Sequence, residues 1–308
     1  MATLHSLNVS HDYALASFSP FYTPPASVAR LEEEMRNLPK LWSLPGDLIW
    51  GEVADPGIVH EVKPWGWNPM ICRLLQEAGI DSALLPPESD LRKIRDLSHR
   101  RNTIPLNQFI CRNLEGFSPD AIPREITSVQ EGMSLYAARN DCYFKAPWSS
   151  SGRGIIKCSD LEPRHIEPWL RGIIRKQGSV MYETLADRTM DFASLWICSG
   201  GEARFAGWSV FSTSPRGKYI SNLTAPCRDL ERIIRQACRP DILQVASCQK
   251  EWLDSNVAPH YNGPAGIDMM VLNDGSVRPC VEINIRNTMG HVAAACAEKG
   301  ISLHKYLP

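Results

Sequence analysis

The sequence of 308 residues has no charge of one sign to spare: 33 Lys and Arg face 34 Asp and Glu, for a net charge of −1 at pH 7. A polyanion binder needs a positive field to gather phosphates, so nucleic acid is not expected as a partner. No apolar run has the length of a membrane span, and the N-terminal MATLHSLNVSHD lacks a basic start followed by an apolar stretch. The expectation is a cytoplasmic protein with no membrane partner. Internal repeats and low-complexity tracts are missing too, which argues against solenoids and disordered linkers. Ten cysteines are present, but no two form a CxxC pair and most lie among apolar neighbours. They read as reduced core residues, not as a zinc site or a disulfide framework.

What is present is the composition of a folded chain, 44% hydrophobic and 22% charged, with a length that suits two domains or three small ones. Strands are expected over 4–9 and 48–53, with a Glu-rich helix over 28–38 between them. Asn68 and Pro69 suit a helix cap and first turn, Ile71, Leu74, Leu75 and Ala78 share one face, and Gly79 stops the helix. The apolar run 80–85 reads as the next strand. This alternation predicts a partly parallel, Rossmann-like sheet. A helix over 89–101 carries His99, Arg100 and Arg101, and from Thr103 shorter strands and longer loops are expected. Ser128 and Glu131 have capping-box spacing and predict a helix to 139. Strands over 142–146 and 155–158 and a helix over 163–176 complete an α+β lobe. A short strand at 180–183 follows, then two long strands, 191–198 and 203–211, joined by Gly200 and Gly201. A helical stretch over 228–252 broken at Pro240, a hairpin over 266–286 and a helix after Thr288 end the chain. The units expected are 1–102, 103–178 and 179–308.

Chemistry concentrates in two segments. In the first, a strand ends at Lys145 and a loop of Ser149, Ser150, Ser151, Gly152, Arg153 and Gly154 leads into the next strand. Small residues let backbone N–H groups approach phosphate oxygens, and Lys145 and Arg153 add positive charge. No GK[ST] follows, so this is not a Walker A loop. The same residues also suit a flexible hairpin with an incidental lysine.

In the second, Glu282, Asn284 and Arg286 share one strand parity while Val277, Val281, Ile283 and Ile285 share the other. A three-residue Asn-Asp-Gly loop with Gly275 at positive φ would bring Asp268 onto the polar face. Like charges on a half-buried face repel unless a cation sits between them, and oxygen ligands without His or Cys favour magnesium. The alternative is an exposed strand face whose charges point to water.

The two segments, in this order and spacing, resemble the ATP-grasp superfamily over residues 100–292. The resemblance implies an α/β chain in which a Rossmann-like N-terminal domain precedes a two-lobed α+β ATP-grasp fold. It makes Lys145 the phosphate lysine, Ser149 to Gly154 the phosphate flap, Glu183 the acidic residue that contacts adenosine, and Asp191 a residue near the ribose. Asp268, Glu282 and Asn284 match the magnesium ligands, and Arg286 the cation that stabilises transferred phosphate or reacting carboxylate. The earlier lysine usual in the family is missing, since none lies between Lys93 and Lys145. Arg100 or Arg101 can take its place, or both can serve a helix C-terminus, where positive charge is favoured. His11 to Ala16 fits the Rossmann-like part, and Trp65, Gly66, Trp67 and Asn68, with Lys63, either line an acceptor pocket or pack.

The activity implied is an ATP-dependent ligase that uses ATP and Mg2+ to convert a small-molecule or peptide carboxylate to an acylphosphate for attack by an amine or thiol. The alternatives are a phosphotransferase on the same fold and a non-catalytic ATP-binding module. A homodimer is compatible with all three. Loss of Lys145 is expected to weaken phosphate binding without touching the fold.

Overall fold

The computed structural model describes residues 2–52, 55–149, 152, 154–214 and 219–301. The chain opens with β1 (Ala2–Ser6), α1 (His11–Ser17), α2 (Ala26–Glu34), β2 (Leu48–Ile49) and β3 (Val59–Pro64), whose strands form a parallel sheet in the order β2-β1-β3. α3 (Pro69–Glu77) starts where expected, because Asn68 Oδ1 accepts a hydrogen bond from Ile71 N at 3.0 Å. The strand expected over 80–85 does not form. Asp81 accepts from Ala83 N and winds Ser82–Leu84 into a 3-10 turn. The third strand is β3 instead, where a register shift opposite Ala2 and Thr3 leaves His60 over and breaks the even spacing of Val59, Val62 and Pro64.

α4 (Glu88–Leu97) precedes α5 (Thr103–Asn113), which replaces the loops and short strands expected after Thr103. Pro105 lies in its first turn, where a missing N–H costs no bond, and Leu106 and Ile110 are buried one turn apart.

The next unit comprises β4 (Arg124–Ile126), α6 (Val129–Ala138), β5 (Cys142–Lys145), β6 (Ile155–Lys157), α7 (Pro163–Gln177) and β7 (Val180–Thr184), with the sheet ordered β4-β7-β5-β6. Ser128 Oγ caps α6 by accepting from Glu131 N at 3.1 Å. Phe144, Tyr182, Ile166 and Leu170 fill the space between sheet and helices. β7 lies past residue 178 yet pairs with both β4 and β5, so this sheet runs on to Thr184.

The last unit contains β8 (Arg188–Ser199), β9 (Glu202–Thr213), β10 (Tyr219–Asn222), α8 (Cys227–Ala237), α9 (Ile242–Asn256), β11 (Gly263–Leu272), β12 (Val277–Asn284) and α10 (Met289–Lys299). Its antiparallel sheet has the order β10-β9-β8-β11-β12. Trp196 and Trp208 meet the ring of Phe205 edge-on at 5.3 and 5.0 Å, contacts worth roughly 0.5–1.5 kcal/mol each beyond area burial. α5 packs on α9 and β12, and Asn107 Nδ2 donates to the Cys280 carbonyl at 2.9 Å. The helix that follows residue 102 is therefore part of the large sheet's core and not of the smaller lobe's.

Candidate active site

The β11–β12 hairpin builds one wall of the site. Its Asn273-Asp274-Gly275 loop is closed by hydrogen bonds between Leu272 N and Ser276 O and between Gly275 N and Leu272 O, with Gly275 at φ +80°. Asp268 lies opposite Glu282, and Gly266 opposite Asn284, so the expected face forms. The alternation upstream does not hold. The register changes between Asp268 and Met270, next to Pro279, which has no N–H for the ladder, so Cys280 is buried and Val281 only half-buried.

Asn284 Nδ2 donates to Asp268 Oδ2 at 3.2 Å. Burial, then the Glu282 carboxylate, pushes the Asp268 carboxyl up to about 7, against the opposing pull of Arg286 and Asn284. Two carboxylates and an amide oxygen crowded in this way are a donor set that fits magnesium. Among the described residues no cluster of three His, Cys, Asp or Glu side chains has metal-binding geometry, so any metal would rest on two carboxylates, the amide, water and phosphate.

Arg286 is held from outside this wall. Its Nε donates to both oxygens of Asp12 at 3.1 Å, its Nη2 to Asp12 Oδ2 at 2.9 Å and its Nη1 to the Asn287 carbonyl at 2.9 Å. Burial works against both charges. Asp12 nevertheless stays below the usual carboxylate range because of Arg286 and His11, and the Arg286 pKa is raised. Asp12 stands in the first turn of α1, after the loop that leaves β1. Its neighbour His11 is buried, lies against Gly66 and Asn68, and is pushed down to about 4 by that burial. By sequence alone these two residues fit only a Rossmann-like segment.

Across from the hairpin, Lys145 Nζ donates to Glu183 Oε2 at 2.5 Å, and the two residues are 7% and 6% exposed. The phosphate lysine and the adenosine-contacting acid implied by the resemblance thus meet in one buried ion pair. Arg100 is buried as well. Its Nη1 donates to the Ala146 carbonyl at 2.5 Å and to Ser149 Oγ at 2.7 Å, and its Nη2 to the Ser149 carbonyl at 3.2 Å and to Glu282 Oε1 at 2.7 Å. The helix-end reading fails for it, because Asn102 Nδ2 donates to the Asp96 and Leu97 carbonyls at the end of α4. Arg101 stays outside, 3.9 Å from Asp96 and half exposed.

The foot of the 149–154 loop is closed by a hydrogen bond from Ala146 N to the Gly154 carbonyl at 2.7 Å. Gly154 has φ +75°, and a Cβ there would come 2.8 Å from that of Ser149. Gly152 also has positive φ, at +73°, whereas Ser150, Ser151 and Arg153 lie outside the described residues. Asp191 accepts from Thr213 Oγ1 at 2.6 Å and lies 3.3 Å from Arg188 Nε.

Arg278 escaped the sequence reading. Its Nη2 donates to Thr184 Oγ1 at 3.1 Å, and its Nε is buried without a partner among the described residues. Its even parity, shared with Glu282, Asn284 and Arg286, is the signal that could have marked it. The Trp65–Asn68 segment turns out to pack: Trp65 lies 6.5 Å from Trp42 and is buried, Asn68 caps α3, and Lys63 pairs with Glu61 at the surface.

Solved structures share this fold. The biotin carboxylase domain of 2-oxoglutarate carboxylase from Hydrogenobacter thermophilus, a dimer in complex with MgADP, ADP and bicarbonate, superposes with a TM-score of 0.51 at 13% identity over 81% of this chain and 56% of that one. Pyruvate carboxylase from Rhizobium etli gives 0.56 at 17% identity over 99% of this chain and 28% of that one. The chain has the ATP-grasp fold. It spans about half the length of the first of these proteins and little more than a quarter of the second. A third ATP-grasp structure, N5-carboxyaminoimidazole synthase from Aspergillus clavatus in complex with ADP and 5-aminoimidazole ribonucleotide, gives a TM-score of 0.51 at 13% identity over 98% of this chain and 78% of that one. No protein-family profile and no curated protein sequence matches the chain. No helix among the described residues is long and apolar enough to cross a membrane.

Proposed function

We propose that the protein is an ATP-dependent ligase that converts a carboxylate to an acylphosphate, which an amine or thiol then attacks. The observation that carries this reading is the half-buried, opposed pair Asp268 and Glu282, with Asn284 bonded across to Asp268 and the guanidinium groups of Arg286 and Arg100 beside them. Mere recognition of adenosine needs no such cage. Asp268, Glu282 and Asn284 would hold magnesium, which when bound neutralises charge on the transferred phosphoryl group.

Asp12 takes one edge of Arg286, and two of that guanidinium's five N–H groups carry no hydrogen bond among the described residues. They can meet the oxyanion of the acylphosphate and the phosphate it expels. Lys145, oriented by Glu183, supplies charge from the opposite lobe. Arg100 couples Glu282 to Ser149, so the metal wall and the foot of the 149–154 flap move together. Glu183 and Asp191 are assigned to the nucleoside side of the cleft. The functional units are taken as an N-terminal domain to about residue 102, a smaller lobe to Thr184 and a larger lobe that also recruits α5.

Incubation with ATP, magnesium, hydroxylamine and a panel of amino acids, small peptides and other carboxylates tests the reading. Hydroxamate formation is expected with at least one carboxylate. ADP release with a phosphorylated hydroxyl compound and no hydroxamate would make the protein a phosphotransferase. ATP binding without turnover across the panel would make it a binding module.

A further inference from the structure

A cavity of about 270 Å³ opens at the carboxyl edge of the parallel sheet, between the ends of β1 and β2 and the helices α2 and α3. Open parallel sheets take their ligands at this edge, where the strands end and loops diverge. Leu7, Ile71 and Leu74 give the cavity aliphatic walls, and the half-buried indole of Trp50 adds an aromatic face.

Two polar groups lining it have bonding capacity to spare. Ser6 is 3% exposed, and its Oγ has no hydrogen-bond partner among the described residues. A buried hydroxyl left in this state costs roughly 1–3 kcal/mol, which a ligand hydrogen bond would recover. Glu32 is half-buried, and its Oε1 accepts from Ser10 N at 2.8 Å and from Ser10 Oγ at 2.7 Å. No cation pairs with Glu32 among the described residues, and burial pushes its carboxyl up. Among the described residues that line the cavity, the one guanidinium, that of Arg36, is taken by Glu33 at 2.8 Å. A carboxylate without counter-charge, an acceptor hydroxyl, an indole face and aliphatic walls are together complementary to an organic cation rich in N–H donors.

We propose that this cavity binds a small primary ammonium compound with an apolar body, its –NH3+ group between Glu32 and Ser6 and its carbon skeleton on Leu7, Ile71 and Leu74. The site does not depend on the ligase reading, because binding is measured without nucleotide. Failure of the hydroxamate assay and failure of the amine titration are therefore separate results.

The experiment is calorimetric titration of the full chain at pH 7 with isopentylamine and 2-phenylethylamine, each beside its alcohol analogue, 3-methylbutan-1-ol and 2-phenylethanol. Saturable binding with a stoichiometry of one is expected, with at least one amine preferred over its alcohol by about tenfold or more, the scale of one charge-assisted hydrogen bond. Glu32→Gln keeps an oxygen for the Ser10 contacts and should remove that preference while leaving the alcohol's affinity alone. Ala29→Trp, at an exposed rim position, should block amine and alcohol alike without disturbing the core, and it keeps the test open if Glu32→Gln fails to fold. No saturable binding of either amine at about 10 mM, equal affinities for amine and alcohol, or an unchanged amine affinity in the folded variants would overturn the proposal.

Discussion

Lys145 and Glu183 bury opposite charges against each other, so neither can be removed alone at low cost. Lys145→Ala leaves the Glu183 carboxylate buried and unpaired, and the expected loss is about 3–5 kcal/mol of stability, read as a fall in the urea midpoint. This corrects the expectation from sequence that the lysine acts on phosphate alone. The double change Lys145→Met with Glu183→Leu removes both charges and should recover most of that stability while ATP binding stays weakened. Asp12→Asn tests the other ion pair. An amide oxygen can still accept from Arg286, but the charge that holds the guanidinium is gone, so turnover in the hydroxamate assay is expected to fall about 10- to 100-fold with the KM for ATP little changed. A parallel rise in that KM would show that Asp12 acts on nucleotide binding and not through Arg286.

At the level of elements, the loop between β5 and β6 hangs on one backbone geometry. Gly154→Ala combines φ +75° with a Cβ placed 2.8 Å from that of Ser149, so the loop foot must open or the strand end must shift. A cost of roughly 1–3 kcal/mol is expected, together with a raised KM for ATP, measured by thermal unfolding and initial rates. An unchanged KM would separate the loop from nucleotide binding. Elements with chemical punctuation were readable in the sequence: Asn68 with Pro69, Ser128 with Glu131, Gly200 with Gly201 and Pro240 all mark real boundaries. β3 and α5 were not. In β3 a bulge at His60 breaks the alternation, and α5 carries a proline that looks like a loop signal until its place in the first turn is known.

For the whole molecule, imidazoles whose pKa burial lowers tie stability to pH. Burial lowers His11 to about 4 and, helped by Arg101, His99 to about 3, whereas unfolded histidine titrates near 6.5. Between these values the unfolded chain holds more protons, so the contribution is fully present above about pH 6.5 and is lost as the pH falls towards the folded values. His291, lowered by burial to about 4, adds to this slope, whereas Asp268, raised to about 7, opposes it; three imidazoles against one carboxyl leave a net decline, so urea midpoints at pH 7, 6 and 5 should fall in that order. Nucleotide linkage offers a second global readout. A slowly hydrolysed ATP analogue with magnesium at about 100 times its Kd should add roughly 2.7 kcal/mol, and Glu282→Gln should abolish the magnesium-dependent part, while in the ligand-free protein the lost charge pair with Arg100 is offset in part by relief of repulsion with Asp268. An undiminished magnesium effect in that variant would remove Glu282 from the metal site.

The sequence by itself determined the order of the elements around the site, the polar parity of Glu282, Asn284 and Arg286, and the glycine loop after Lys145, because turn chemistry and strand periodicity are local. It could not assign partners. That Arg286 is gripped by Asp12 from α1, that Lys145 is spent on Glu183, that Arg100 joins Ser149 to Glu282, and that β7 belongs with β4 and β5 were decided only by tertiary structure. Each of these contacts spans 36 to 274 residues of sequence, and which charge neutralises which depends on the burial and approach that packing alone creates.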